Sequence, residues 1–479
     1  MRHILAGLVL SSTLAARAWA GQPTQIYGVN LGSWLVLEPW MLPQEWLDMG
    51  GQSCAQCSSC IATESSFARA YPDTVDAEFA QHWDTWFTQD DVNTLKAAGI
   101  NTVRVPLGYW IVEALVDRSH ESYPRGGLDY LRRGLGWLKD AGIQAILDHH
   151  ALPGVQTAGQ MFTGKRVPIY FCTTDVQFYT PYNYHRALVW TAVMTALSHL
   201  DPNFGSVFAI EAINEPIMNA TLTPNYGTFQ KNFVEVMRAV ELTLGIFVPS
   251  SSLSLSVSAS VSNNFTAALS ATSSATIFSA EVQAALLDAV PILLEIGVAC
   301  GLQTIFEASP FQWSRDSLVA NFMDVNWQHD NPSNPADVAI GPQAYDNHLY
   351  YSFGGVAAAD PKSYMISICN LTRIQADAAV GNSPLWFGEW GLPTQFNATD
   401  AFLYQWADAQ KLAYSKGAGW IFWNFKTEIS NLTNGNALAR QWSYLEGLKL
   451  GFLTQDPAAL HDPNVCVPYT NSTTNSTSS

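Results

Sequence analysis

The sequence contains few charged residues, and basic residues are the scarcest among them. Its 479 residues include 23 Lys and Arg against 40 Asp and Glu, which gives a net charge of −17 and a charged fraction of only 13%. No run of Lys or Arg occurs in the chain. An acidic surface without basic clusters repels nucleic acid and anionic membranes. We therefore expect neither as a partner, whereas a neutral polymer remains compatible with this composition.

Signatures of cofactor binding are also missing. The chain has no Gly-rich phosphate loop and no dinucleotide-binding fingerprint. The segment "CAQCSSC" (54–60) could suggest a metal site, but no His cluster nearby completes a zinc-binding set, and disulfides to distant cysteines are the better interpretation. The sequence therefore predicts chemistry carried out by side chains alone, with no cofactor and no metal.

The N-terminus carries a targeting pattern. The stretch "MRHILAGLVLSSTLAARAWA" has a basic start, an apolar segment and a small-x-small end at Ala18–Trp19–Ala20. This is typical of a secretory signal peptide of residues 1–20, whereas the alternative, a membrane anchor, needs a longer apolar run. We expect a secreted protein of the extracellular space or cell wall, and no other segment that crosses a bilayer.

Secretion makes disulfides and N-glycosylation possible. The odd number of cysteines leaves at least one thiol unpaired within the chain, and we expect only some of the Asn-x-Ser/Thr sequons to be used. The cysteines are Cys54, Cys57, Cys60, Cys172, Cys300, Cys369 and Cys466, and the sequons begin at Asn219, Asn264, Asn370, Asn397, Asn431, Asn471 and Asn475.

Short apolar segments alternate with helical patterns along the chain, as in "LDYLRRGLGWLKDAG" followed by "IQAILDHH". Near-continuous apolar strands that alternate with helices indicate parallel β/α units, and eight units indicate a (β/α)8 TIM barrel of class α/β. A doubly wound sheet is the alternative, but the nucleotide fingerprint that often accompanies it is missing. The predicted strands lie within 26–39, 100–110, 143–150, 207–216, 302–311, 344–353, 384–391 and 419–426.

One segment interrupts this alternation. Residues 248–275 are rich in Ser, Ala and Val with almost no charge, and a predicted helix follows at 280–299. We interpret residues 246–280 as an insertion in a single catalytic domain of residues 21–467, either a lobe over the substrate face or a surface excursion. The last residues, 468–479, form a low-complexity tail that we expect to be disordered.

Polar residues cluster at the ends of the predicted strands. The C-terminal ends of the strands of a β/α barrel converge on one face, where the active site is built. The residues that should meet there are Glu38, Arg104, His149, His150, Asn214, Glu215, His348, Glu389 and Trp423, with Tyr350 close behind on the sixth strand.

Two of these residues form a predicted catalytic pair. Glu215 ends the fourth strand and Glu389 the seventh, so they should face one another across the pocket. Two facing carboxyl groups are the minimal equipment for breaking a glycosidic bond, one protonated and the other ionised. Arg104 could hold Glu389 ionised, and Tyr350 could do so by donating a hydrogen bond. The alternative is a structural ion pair at the rim of the barrel. Glu211 shares strand parity with Glu215 and should point inward below it, paired with Arg104.

Six motifs in order resemble the fungal β-glucanases of glycoside hydrolase family 5: "GVNLGSWLVLEPW", "NTVRVPLGYW", "AINEP", "DNHLYYSF", "LWFGEWG" and "GWIFWNFKTE". The match runs from about Ile26 to Cys466. It implies a β/α barrel, a retaining mechanism, Glu215 as acid/base and Glu389 as nucleophile. It further implies that the sugar is bound by Glu38, Arg104, His150, Asn214, His348, Tyr350 and Trp423.

Details of the resemblance bear on the substrate. His149 is extra relative to the exo-β-1,3-glucanases, and "LEPWMLPQEWLDMG" and "YPRGGLDYL" look closer to the endo-β-1,6-glucanases. We therefore expect a monomeric enzyme whose partner is β-glucan, cleaved at β-1,6 linkages. Exo-β-1,3-glucanase and glucan transglycosylase activity are the alternatives, and a glucan-binding protein without turnover is a further one. Trp40 and Trp110 are expected to contact sugar at the rim.

Overall fold

The computed structural model describes residues 23–53, 60–165, 176–249, 264–306, 315–325, 327 and 334–470. The predicted signal peptide, residues 250–263 of the predicted insertion and residues 471–479 of the tail lie outside the described residues, as do Cys54, Cys57 and Cys172.

Eight parallel strands form a closed barrel in which every strand pairs with its neighbours in chain order and the last strand pairs with the first. This confirms the predicted (β/α)8 TIM barrel. The strands are β1 (Ile26–Asn30), β2 (Thr102–Gly108), β3 (Gln144–Ala151), β4 (Val207–Glu211), β5 (Val319–Met323), β6 (Gln343–His348), β7 (Leu385–Trp390) and β8 (Gly419–Phe422).

The predicted fifth strand is wrong. Residues 303–306 form a short helix, and the strand β5 begins thirteen residues later at Val319. Leu302 and Phe306 are both buried and lie four residues apart, which is the spacing of one helical face. A short apolar run is compatible with a strand or with a helix, and here the burial of one helical face favours the helix.

Fifteen α-helices are present in the described ranges, and most of them surround the barrel. They are α1 (Pro43–Met49), α2 (Glu64–Ala70), α3 (Val75–Trp86), α4 (Gln89–Ala97), α5 (Gly127–Ala141), α6 (Pro181–Leu200), α7 (Tyr226–Thr243), α8 (Phe265–Thr272), α9 (Ala280–Ala299), α10 (Gln303–Phe306), α11 (Pro361–Cys369), α12 (Arg373–Ala379), α13 (Asp400–Tyr414), α14 (Ala439–Trp442) and α15 (Tyr444–Lys449).

Glycine ends α5 as the sequence predicts. Gly142 has φ +76°, and its N–H donates to the carbonyl of Leu138. A left-handed residue after the last turn satisfies the free carbonyls of a helix, and glycine adopts that conformation without strain. The chain then turns directly into β3, which carries Asp148 and His150 to the upper face of the barrel.

The described part of the insertion contains α8, and α9 begins at its end. Both α8 and α9 pack against α7, and α9 also packs against α6, burying Val282, Leu286 and Leu293. The predicted helix at 280–299 is thereby confirmed. Within the described ranges, α9 is also the one helix long and apolar enough to cross a membrane by length and composition. In this fold, one face of α9 covers the helical layer.

One disulfide ties the C-terminal segment to the helical layer. A disulfide joins Cys369, at the end of α11, to Cys466, and Cys60 is also disulfide-bonded. Cys300 has a free thiol. This agrees with the expectation of disulfides together with an unpaired cysteine.

Candidate active site

The predicted site residues come together at the C-terminal ends of the strands, although several lie just beyond them. His348 is the last residue of β6, and Glu389 lies within β7. β4 ends at Glu211, so Glu215 stands in the loop that follows the strand. Glu38 likewise lies beyond β1, immediately before a 3-10 helix that begins at Pro39. The strands therefore supply the base of the site and the loops supply its upper part.

A cavity of about 540 Å³ opens at this face. Six of the predicted strand-end residues line it, whereas Arg104, Asn214 and His348 lie beside it. Arg104 contacts Glu389, His348 contacts Glu215, and Asn214 contacts Arg104. Aromatic rings form much of the remaining wall. The lining residues are Glu38, Trp40, His150, Gly159, Gln160, Met161, Phe162, Glu215, Trp327, Tyr350, Phe353, Glu389, Trp423 and Trp442.

Glu215 and Glu389 face one another in this cavity. Oxygen atoms of the two carboxyl groups and a nitrogen of His348 all lie within 4.8 Å of one another. The Nδ1 atom of His348 is 2.7 Å from Oε1 of Glu215 and 3.5 Å from Oε2 of Glu389. The Glu215 side chain is 18% exposed and that of Glu389 7%, so Glu215 is the more accessible of the two.

Arg104 forms the centre of a buried charge cluster below the cavity. Its guanidinium lies 2.8 Å from Glu211, 3.0 Å from Glu389, 3.1 Å from Asp148 and 3.7 Å from Asp346. The predicted pairing of Glu211 with Arg104 is confirmed. One cation facing four buried carboxyl groups leaves an excess of negative charge, and burial raises the pKa of Asp148 to about 7 and that of Asp346 well above its usual range.

The surroundings of the two facing carboxyl groups differ. Burial raises the pKa of each to about 7. Only Glu389 is in direct contact with Arg104, and the Tyr350 hydroxyl donates to its Oε2 atom at 2.9 Å. These donors stabilise the ionised form of Glu389, whereas the partner of Glu215 at 2.7 Å is His348.

The histidines of the site are neutral. Burial and the charge of Arg104 lower the pKa of His150 to about 3, and burial lowers that of His348 to about 4. The Nδ1 atom of His150 lies 2.5 Å from Oδ2 of Asp148. His149 stacks on Trp190 with ring centroids 3.9 Å apart and does not line the cavity, unlike the other strand-end histidine of β3, His150.

Asn214 is oriented by the charge cluster. Its Oδ1 atom accepts a hydrogen bond of 2.9 Å from Arg104, which directs the amide donors away from the guanidinium. Its Nδ2 atom has no hydrogen-bond partner within the described ranges. A buried donor without a protein acceptor is available for a hydroxyl group of a bound molecule.

An aromatic wall flanks the carboxylates. Trp40 packs edge-on against Trp442 with ring centroids 5.2 Å apart, and Phe353, 77% exposed, extends the wall outward. The Trp40 indole donates to Glu38 at 2.8 Å, although burial still raises the pKa of Glu38 to about 8. Trp40 is thus at the rim as predicted. The same prediction for Trp110 is wrong, because Trp110 is buried and stacks on Tyr123 at 4.2 Å.

Two groups of side chains have a spacing that a metal ion could use. They are Glu211 with Asp346 and His348, and Glu215 with His348 and Glu389. The guanidinium of Arg104 already contacts Glu211, Asp346 and Glu389. Its fixed cation would repel a metal ion there, so the arrangement favours acid–base chemistry.

Three polar residues of the site were not predicted from the sequence. Asp148 and Asp346 lie two residues before His150 and His348 on the same faces of β3 and β6, a parity that could have identified them. Gln156 is buried in the loop after β3 and donates to the carbonyls of His150 and Asn214. No periodic pattern marks a residue in such a loop.

The chain is similar to known glycoside hydrolases over most of its length. It is 28% identical over 467 residues to "Glucan endo-1,6-beta-glucosidase B" of Emericella nidulans, covering 95% of this chain and 91% of that one. It is 27% identical to "Probable glucan 1,3-beta-glucosidase A" of Neosartorya fischeri, covering 84% and 83%.

A solved structure and a family model extend this comparison. The crystal structure of rutinosidase from Aspergillus niger matches with a TM-score of 0.54 at 17% identity, covering 89% of this chain and 97% of that one, which shows a shared fold. The family model described as "Cellulase (glycosyl hydrolase family 5)" matches residues 73–428. The chain therefore belongs to glycosyl hydrolase family 5.

Proposed function

We propose that this protein is a secreted, monomeric, retaining β-glucanase that hydrolyses β-1,6-glucosidic linkages of fungal cell-wall glucan. The observation that carries the proposal is the Glu215–Glu389 pair, with carboxyl oxygens within 4.8 Å in an aromatic cavity. Retaining glycosidases hold their two carboxyl groups about 5 Å apart, whereas inverting enzymes leave room for a water molecule between them.

The first half of the reaction uses the two carboxyl groups in different roles. Glu389, ionised beside Arg104, attacks the anomeric carbon and forms a covalent glycosyl–enzyme bond. Glu215 donates its proton to the glycosidic oxygen as the bond to the leaving sugar breaks. Its greater exposure places it toward the side from which that sugar departs.

In the second half, water replaces the leaving sugar. Glu215, now ionised, takes a proton from the water molecule as its oxygen attacks the anomeric carbon, and Glu389 is released as a carboxylate. Arg104 and Tyr350 stabilise the charge that returns to Glu389. If another sugar hydroxyl takes the place of water, the same intermediate gives transglycosylation.

Several neighbouring residues are suited to hold the sugar. Trp423 offers an aromatic face beside His150, with the two rings stacked at 5.6 Å. The unpartnered Nδ2 atom of Asn214 is a donor for the sugar 2-hydroxyl, and Glu38, which lines the cavity, can accept from another hydroxyl. Hydrogen bonds to the 2-hydroxyl strengthen in the transition state, which makes Asn214 a contributor to rate as well as to binding.

The similarity to the endo-1,6-β-glucosidase of Emericella nidulans supports the β-1,6 linkage. An exo-acting β-1,3-glucosidase is the second candidate. Glu38 favours it, because a buried carboxyl group held by Trp40 at the cavity wall is suited to bind a terminal sugar. Both candidates share the two-carboxylate mechanism and differ in the walls that select the linkage.

Product analysis separates these candidates. The full chain is incubated with a linear β-1,6-glucan and, in parallel, a linear β-1,3-glucan. Oligosaccharides from the first support the proposal, glucose alone from the second supports the exo-acting candidate, and chains longer than the donor reveal transglycosylation. Proton NMR of the first products should show the β-anomer, and an initial α-anomer would contradict retention. Glu389→Gln should remain folded without releasing reducing ends, whereas near-normal turnover would refute its role.

A further inference from the structure

The backbone of Glu215 has an unusual conformation. Its φ is +41°, in the left-handed region that residues with a side chain seldom adopt. Left-handed residues outside turns persist only where the surrounding structure holds them, and they cluster at active sites. The structure must therefore contain contacts that oppose relaxation of this peptide.

Hydrogen bonds to four side chains hold the backbone around Glu215. Thr157 Oγ1 donates to the carbonyl of Glu215 at 2.6 Å, and Gln156 Nε2 donates to the preceding carbonyl, that of Asn214, at 3.1 Å. On the other side of Glu215, the N–H of Ile217 donates to the hydroxyl of Tyr179 at 2.8 Å. The Trp327 indole donates to the carbonyl of Pro216 at 3.2 Å.

Three of these four contacts come from the segment between β3 and α6. Gln156 is completely buried, and its amide also donates to the carbonyl of His150 at 2.7 Å and accepts from the N–H of Leu152 at 3.2 Å. It therefore joins the end of β3 to the chain that follows β4. The same side chain thus holds the backbone of His150 and that of Asn214, the residue before Glu215.

The segment itself turns sharply to reach this position. Gly154 and Val155 have φ values of +77° and +69°, and Val155 is a β-branched residue for which this conformation is strained. The turn is held by the N–H of Gln177, which donates to the carbonyl of Gly154 at 2.7 Å, and by the N–H of Val155, which donates to Leu152. Val155 and Glu215, which both have a positive φ, are thus connected by the hydrogen bonds of Gln156 and Thr157.

We propose that Gln156 and Thr157 are positioning residues that fix the direction of the Glu215 carboxyl group by clamping its left-handed peptide. This inference rests on the proposed role of Glu215 as proton donor and acceptor. Neither residue reaches the second carboxyl group, Glu389, through a hydrogen bond that the described residues make. The clamp therefore acts on proton transfer and leaves nucleophilic attack unaffected.

This separation of roles gives the inference a specific signature. A leaving group of low basicity departs without a proton, so its release does not depend on where Glu215 points. A leaving group of high basicity needs the proton, and a small displacement of the donor slows it strongly. A general loss of structure would slow both substrates equally.

The test compares Thr157→Val with Thr157→Ser in the full chain. Valine removes the hydroxyl donor at almost unchanged volume at a half-buried position, and serine retains it. Thr180→Val is the matched control, because Thr180 Oγ1 donates to the carbonyl of Gln177 and caps α6 without contacting residues 214–217. The values of kcat/KM are measured for phenyl and 2,4-dinitrophenyl β-gentiotriosides, together with the Tm of each variant.

We expect Thr157→Val to lower kcat/KM for the phenyl substrate about tenfold while the dinitrophenyl substrate changes less than about twofold. Thr157→Ser and Thr180→Val should change both substrates equally and slightly. Equal losses on both substrates in Thr157→Val, or no loss on either, would overturn the proposal.

Glu215→Ala distinguishes a failure of this inference from a failure of the proposed function. If Glu215 is the proton donor, Glu215→Ala loses far more activity on the phenyl than on the dinitrophenyl substrate, and azide restores turnover of the latter by attacking the glycosyl–enzyme. If Glu215→Ala shows this pattern and Thr157→Val does not, the clamp is wrong and the function stands. If neither variant shows it, the role of Glu215 is wrong.

Discussion

The Nη1 atom of Arg104 lies 3.0 Å from Oε1 of Glu389, and this contact makes the two facing carboxyl groups of the cavity unequal. Glu215 has neutral His348 as its nearest partner. The positive charge favours ionisation of Glu389, and Glu215, whose pKa burial raises to about 7, is the other group that can hold a proton. The structure thus supplies the two protonation states that a double displacement requires.

Activity should follow a bell-shaped dependence on pH whose alkaline limb lies near neutral pH. Burial raises the pKa of Glu215 to about 7, and its proton is required for the departing sugar, so the rate should fall as pH rises through that value. On the acidic side of the profile, the rate should fall because Glu389 becomes protonated. The measurement is kcat/KM against pH on a glucan oligosaccharide, and a rate that continues to rise above neutral pH would contradict the assignment.

Arg104→Lys should move the acidic limb to higher pH. A lysine ammonium cannot reproduce the simultaneous contacts to Glu211, Glu389 and Asn214, so the pKa of Glu389 rises and a smaller fraction of the enzyme is ionised at acidic pH. The control is Arg133→Lys, where an exposed arginine pairs with Asp84 on the surface. An unchanged limb in a folded Arg104→Lys protein would show that another group controls Glu389.

Tyr350→Phe should lower kcat by roughly tenfold to a hundredfold, because a hydrogen bond to a charged group contributes about 1.5–3 kcal/mol. The hydroxyl donates to Oε2 of Glu389, the other oxygen of the carboxylate that Arg104 contacts. Tyr404→Phe is the matched control, since that hydroxyl donates to the carbonyl of Leu450 away from the cavity. If both variants retained full activity, the contact to Glu389 would not contribute to catalysis.

Glu64→Gln should flatten the dependence of stability on pH. Glu64 is fully buried and accepts from the N–H of Leu37 at 2.6 Å, and burial raises its pKa to about 8 from an ordinary value of 4.5. The folded state therefore retains a proton that the unfolded state releases. Its contribution is complete below 4.5 and is lost as pH rises to about 8, at up to about 1.4 kcal/mol per pH unit.

Urea unfolding of the wild-type protein and of Glu64→Gln between pH 6.5 and about pH 8 isolates this effect, because the other titrating groups contribute equally to both slopes. The slope of the wild-type protein should exceed that of Glu64→Gln, while Glu281→Gln on the exposed face of α9 should behave like the wild type. Identical slopes in all three proteins would show that Glu64 is ionised in the fold.

Cys466→Ser should destabilise the protein by about 2–5 kcal/mol, because the Cys369–Cys466 bridge closes a long loop. The two cysteines are 97 residues apart in sequence, and the bridge joins the C-terminal segment to α11. Cys300→Ser is the control, since that thiol is free. Neither cysteine lines the cavity, so activity below the unfolding transition should persist in both variants. Equal Tm values for the two variants would contradict the expected role of the bridge.

Much of this arrangement could be predicted from the sequence because the rules of barrel geometry are simple. Strand ends meet on one face, which brought Glu215, His348 and Glu389 together from distant positions. Strand parity placed Glu211 below Glu215 and identified Arg104 as its partner. Both arguments depend only on local periodicity and on closure of the sheet.

The rest depends on tertiary contacts that leave no local pattern. The run at 302–311 is as apolar as a strand, yet residues 303–306 are helical because Leu302 and Phe306 bury one face. Trp110 follows a strand and resembles a rim residue, yet it stacks under Tyr123. Gln156 sits in a loop whose path is set by the strained turn at Gly154 and Val155 rather than by hydrophobic spacing.

Arg104 on β2 contacts side chains from five other strands of the barrel, and this network links assembly of the fold to assembly of the site. Its partners are Asn30 of β1, Asp148 of β3, Glu211 of β4, Asp346 of β6 and Glu389 of β7. A shift of any strand by one residue would turn its partner away from the guanidinium and leave a charge buried without compensation. The charged residues of the site therefore favour the native strand register, because only a correctly closed barrel pairs them with Arg104.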